Sequence, residues 1–156
     1  MKGKHLPLEN IDDGDLVLLN WDGEPMFAIK ASNGEGHHYV CILRQRIWDV
    51  PGPLLTDGRP EVEFITLGSD WSLDYEPTDI QFGLGRLPLG SLRFTEDGPV
   101  VTCHSRNGGG YGVTTSGKLV RPGQNHPSCA TWRLLLETVE EEHRQVVQWP
   151  QPADDA

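Results

Sequence analysis

Glycine and proline cut this chain into short pieces. The 18 glycines and 12 prolines make up 30 of its 156 residues, and they are spread along its whole length. Proline removes a backbone donor and fixes φ, while glycine frees φ and weakens helix and strand interiors alike. They recur at no fixed period, which excludes a collagen-like or solenoid repeat. Between them lie apolar runs of strand length. The chain is therefore expected to form many short strands joined by tight turns. With 37% hydrophobic and 23% charged residues it has the composition of a folded globular chain. We expect residues 1–150 to form one domain and 151–156 a frayed tail.

The strand pattern is clearest near the amino end. Asp12-Asp13-Gly14 reads as a turn, and residues 15–21 form a nearly continuous apolar run that predicts burial on both faces. Asp22-Gly23 is a two-residue hairpin signal, with residues 25–31 as the return strand. Asn33-Gly34-Glu35-Gly36 turns into a third strand over 37–46. Residues 49–60 read as a loop, 61–67 as a half-exposed strand and 68–81 as an acidic, aromatic stretch. Further strands are expected over 91–95, 99–104, 111–115 and 118–121, with turns at Glu96-Asp97-Gly98 and Ser116-Gly117.

One segment carries a helical period. Trp132, Leu135, Leu136, Val139, His143 and Val146 fall on one face of a helix running from about Cys129 to about Gln148. Ser128 would cap it, and Pro150 would end it. The expected fold class is thus α+β, mainly antiparallel β. About eight strands would curl into a small barrel or strongly bent sheet, with one packing helix at the carboxyl end.

The net charge is −10 but is unevenly distributed. Residues 86–133 carry six cationic side chains against Glu96 and Asp97, a local balance of +4, and the remainder carries −14. Whole-surface binding to nucleic acid is excluded on charge. No apolar run approaches a membrane span, so no membrane partner and a cytoplasmic location are expected. Three widely spaced cysteines make no disulfide framework, and Cys41 and Cys103 lie in strand-like runs.

Five groups of residues could carry chemistry. A cysteine at a helix start can ionise readily, so Cys129 is a candidate nucleophile with a strand histidine, His104, as base. Gly14-Asp15-Leu16 resembles the opening strand of the lecithin:retinol acyltransferase-like family, which implies a match of Cys129 to that family's late nucleophile. The chain departs from the family where its histidine should stand, because Pro25-Met26-Phe27-Ala28 occupies the second strand, and this leaves the chain outside the family. Cys103-His104 with His126-x-x-Cys129 offers zinc-type ligands, although adjacent strand residues cannot both reach one ion. The loop from Ser105 to Gly112, with Arg106 and Tyr111, could present backbone amides to a ligand or partner. Trp71 and Tyr75 stand among Asp70, Asp74, Glu76 and Asp79, a pairing suited to stacking plus ionic contact. His37-His38 opens a strand and reads as structural.

No catalytic set has conventional spacing. The sequence therefore favours a non-enzymatic binding or assembly protein acting through its aromatic and glycine-rich loops, with no cofactor. Its partner would be a protein, which could be a second copy forming a homodimer. A cysteine-dependent hydrolase or acyltransferase is the alternative, and a small-molecule or zinc binder is the third.

Overall fold

A computed structural model describes residues 3–21, 23–44, 52–57, 63–82, 90–105, 109–123, 126–141 and 144–150. Fourteen strands appear among them. They are β1 (Lys4–His5), β2 (Leu16–Trp21), β3 (Glu24–Ser32), β4 (His38–Ile42), β5 (Leu54–Asp57), β6 (Phe64–Gly68) and β7 (Trp71–Asp74). These are followed by β8 (Leu92–Thr95), β9 (Gly98–Ser105), β10 (Gly110–Thr114), β11 (Leu119–Val120), β12 (Ser128–Cys129), β13 (Trp132–Leu136) and β14 (Gln145–Trp149). The expected tail at 151–156, the candidate Arg106 and His143 of the expected helix lie outside the described residues.

Eleven strands form one mixed sheet along the path β1-β6-β2-β3-β4-β5-β9-β10-β11, with β8 and β12 branching from β9. It consists of two antiparallel meanders, one from each half of the chain. They are joined where β5 runs parallel to β9, with Leu54 opposite His104 and Leu55 opposite Ser105. The remaining strands form a separate sheet in the order β14-β13-β7.

The expected packing helix is absent. Among the described residues the helical turns are all short and of 3-10 type, at Leu8–Asn10, Pro77–Asp79 and Glu141. Residues 132–136 and 145–149 are strands instead. The stretch Trp132-Arg133-Leu134-Leu135-Leu136 satisfies a period of two as well as one of 3.6, and Leu134 separates the two readings. A helical stripe leaves Leu134 off the apolar face, yet it is fully buried between Trp132 and Leu136 while Arg133 is exposed. As a strand, the segment pairs on both sides at once, with Leu134 opposite Leu73 of β7 and Val147 of β14. These non-local ladders override the local period.

The expected barrel does not close either. The large sheet ends at β1 and β11, and three strands are diverted into the small sheet. It is nevertheless bent, because the tip of the β10–β11 hairpin reaches back to β3. Ser32 bridges Lys118, and the Ser32 amide donates to the Gly117 carbonyl at 3.0 Å.

Two apolar layers form on opposite faces of β2, β3 and β4, as the unbroken apolar run in β2 predicts. Leu16, Ile29 and Cys41 point into the larger cluster, which also contains Trp71, Trp132, Leu134 and Trp149 of the small sheet. Val17, Ala28, Val40 and Ile42 point the other way, onto Ile11 and Phe64, with Leu6 and Leu8 of the amino-terminal segment packed against them. Strict side-chain alternation in a strand produces both layers from one segment.

Candidate functional site

Trp132, Trp149 and Tyr75 are fixed before any ligand is considered. The Trp132 indole N–H donates to the Gly90 carbonyl at 2.6 Å. The Trp149 indole lies so close over Gly90 that an added Cβ would come within 2.1 Å of it. Gly90 also has φ +93°, so both the space and the backbone there require glycine. Tyr75 meets Phe94 edge to face with ring centroids 5.1 Å apart. These three aromatics line a groove of about 290 Å³ at the end of the small sheet.

The groove's rim is ionic. Asp74, Glu76 and Asp79 stand on it against one cation, Arg133, which is ion-paired with Asp74. Asp79 accepts a hydrogen bond from the Thr131 hydroxyl at 3.1 Å. The local balance is therefore −2. Trp132 and Trp149 are almost fully buried, so half-buried Tyr75 is the aromatic surface offered beside the carboxylates, and it suits a ligand with an apolar body and a positive or hydrogen-bonding head. The sequence pointed to Tyr75 and the carboxylates of this stretch. It did not point to Arg133, Gln148, Trp149 and Pro150, which complete the groove. Read as two strands, the 132–149 segment would have placed them there.

A second cleft, of about 500 Å³, opens between Glu24–Phe27 of β3 and Gln145–Gln148 of β14, with Arg44 at its rim. Gln148 lines both cavities.

The remaining candidates sit as follows. Trp71 is buried, and its indole N–H donates to the Gly14 carbonyl at 2.8 Å, so it joins the two sheets. Tyr111 is half-buried under the Arg121 guanidinium, which lies 5.1 Å from its ring centroid and donates to its hydroxyl at 3.2 Å. The Asn107 and Gly108 of its loop, like Arg106, are outside the described residues.

Cys129 lies in β12 rather than at a helix start, and it is fully buried with its thiol donating to the Thr131 carbonyl at 3.1 Å. It sits opposite Leu92, which sits opposite Val101, so Cys129 shares a sheet face with Val101 and Cys103. His104, next along β9, points to the other face. The structure thus separates this thiol from this imidazole. Burial pushes the His104 imidazole below its ordinary value, against a weaker hydrogen bond with the Pro53 backbone. Cys41 and Cys103 touch inside the core. Their hydrogen bond, reinforced by burial, holds the Cys41 thiol well above its ordinary value. His126 is taken up locally, its Nδ1 accepting the Gly123 amide at 3.1 Å. Among the described residues, no three His, Cys, Asp or Glu side chains are grouped as metal ligands.

No family model matches the chain, and neither does any curated protein or solved structure. No helix among the described residues is long and apolar enough to cross a membrane.

Proposed function

We propose that this protein is a non-enzymatic binding or assembly module that works through the aromatic–acidic groove at the end of its small sheet. One observation supports this above the others. Trp132, Trp149 and Tyr75 are held by contacts within the fold, and the carboxylates of Asp74, Glu76 and Asp79 stand beside them on the rim. Rigid aromatic surface with few polar groups is what a recognition site needs, because little conformational freedom is lost on binding. The three unpaired thiols suit a reducing compartment, and a cytoplasmic setting is part of the proposal.

A ligand-observed NMR screen of small cations, sugars and short peptides tests the reading. Ligands should bind the native protein and lose binding in Tyr75→Ala, whose core contacts are otherwise intact. Ligands that bind equally well to Tyr75→Ala would place the site elsewhere and overturn it.

A further inference from the structure

Among the described residues the small sheet has an open edge at β14, and both cavities lie along it. Among the described residues β14 pairs only with β13. The Leu136 amide donates to the Arg144 carbonyl, so Leu136, Leu134 and Trp132 aim their backbone groups at β14. Their partners Val147 and Trp149 aim back, which leaves the Gln148 N–H and C=O, midway between them, pointing off the free edge. Gln148 is also the residue that the groove and the cleft have in common.

The two faces of this edge differ. Arg133 and Gln148 lie on the face turned away from the core, on the side of the acidic groove. Val147 lies on the core-facing side, where Phe27 of β3 lines the cleft and packs against the same apolar cluster. The opposite wall of the cleft cannot extend the β3 ladder in its place. Pro25 has no N–H to offer, and the Phe27 carbonyl already accepts the Leu43 amide at 3.0 Å.

We infer that the partner is an extended segment of another polypeptide that adds as a strand to β14, with lysine or arginine side chains in the acidic groove alternating with apolar side chains in the cleft. This rests on the binding-module reading and specifies its partner. Backbone pairing at an edge supplies affinity, and alternating pockets supply selectivity. The charge fits, because the groove has a balance of −2 and the whole chain −10. An edge that no described strand pairs, with a polar face on one side and an apolar cleft on the other, is a template for such a strand.

The probe is a pool of acetylated, amidated hexapeptides in which lysine or arginine alternates with valine, leucine or phenylalanine. A second pool replaces the basic residues with glutamate. Hydrogen exchange is followed by NMR at the Gln148 amide. In the free protein this amide should exchange fast while those of Val147 and Trp149 are protected. The basic pool should slow Gln148 exchange at least about tenfold and the acidic pool should not. Gln148→Ala keeps the N–H but removes the side chain that lines both cavities, and it is the reference for the proline variant. Gln148→Pro removes, beyond the side chain, an N–H that β13 does not use, and should bind about tenfold or more weakly than Gln148→Ala with the same melting temperature as that variant. Glu76→Gln with Asp79→Asn should erase the preference for the basic pool. Equal binding of both pools, equal binding by the proline and alanine variants, or no protection at about 1 mM peptide overturns the inference. If small cations still bind in a Tyr75-dependent way under those outcomes, the groove remains a binding site and only the strand partner is wrong. If they do not bind either, both readings fall.

Discussion

The Lys30 ammonium is 1% exposed and lies 2.6 Å from the Asp13 carboxylate, which is itself 42% exposed. Asp13 also accepts the Ser32 hydroxyl at 2.6 Å. A charge as deeply buried as Lys30 needs a counter-charge, and this carboxylate brings it from the surface turn. Burial opposes ionisation of Asp13. The hydrogen bonds from Lys30 and Ser32, with the charges of Lys30 and His38, outweigh it and hold the carboxyl below its ordinary value. The folded value is depressed, so the stability contributed is fully present above the unfolded aspartate value of about 3.9. It is lost as pH falls through the lower folded value. Asp13→Asn should cost about 2 kcal/mol at neutral pH, less than for a fully buried pair because water screens this carboxylate. Adding Lys30→Met to that variant should restore most of the loss. Urea unfolding from pH 7 to pH 2 checks both, and an Asp13→Asn variant as stable as the native protein at pH 7 would refute the role.

Leu134 and Leu135 are adjacent and should respond very differently. Leu134→Ala removes a fully buried side chain between the sheets and should cost about 3 kcal/mol. Leu135 is half-buried on the outer face, and its alanine variant should cost about 1 kcal/mol. A helix would rank them the other way round. Chemical denaturation of the two variants decides between strand and helix without a new structure.

Gly117 and Gly34 share a left-handed backbone, with φ +81° and +80°, but not the same surroundings. An added Cβ at Gly117 would lie 2.2 Å from the Gly14 amide nitrogen and 2.5 Å from the Lys30 carbonyl oxygen, whereas at Gly34 nothing lies within 4 Å. Gly34→Ala should therefore cost only the backbone strain, about 1 kcal/mol. Gly117→Ala should cost well beyond that and loosen the hairpin tip from β3. Thermal melts of the two variants give the comparison, and equal costs would show that the close approach is not formed.

All three thiols should resist alkylation in the folded state. Cys41, Cys103 and Cys129 are fully buried, and Cys41 is also held in its protonated form. A maleimide titration in increasing urea should label them only along the unfolding transition. Fast labelling of Cys129 at neutral pH would reopen its case as a nucleophile.

Where turn chemistry and strand length agreed, the fold was legible in the chain. Asp22-Gly23 specified the β2–β3 hairpin, and its register, with Trp21 opposite Glu24, follows from that two-residue turn. Asn33 sits in the expected turn with its side chain accepting the Glu35 amide at 2.9 Å. The strands over 91–121 fell within a residue or two of their expected limits. Strand β7 was hidden in a stretch read as acidic loop, because Trp71 and Leu73 become a strand only when β13 lies beside them. Strands β13 and β14 were hidden by a leucine run that fits two periods. Tyr75 and its carboxylates could be picked out because aromatics beside acids are unusual in a loop. The other wall of the groove could not, since it comes from the segment whose period misled.

The parallel contact between Leu54–Leu55 and His104–Ser105 has a consequence for synthesis. The first half of the chain contains every strand of its own meander, but β5 must wait for residues near position 104 before its second side is paired. A ribosome making this protein therefore displays a bare ladder of donors and acceptors on β5 for the time needed to add some fifty residues. Translation pauses in that interval, or chains cut short there, are where clumping of this protein should begin.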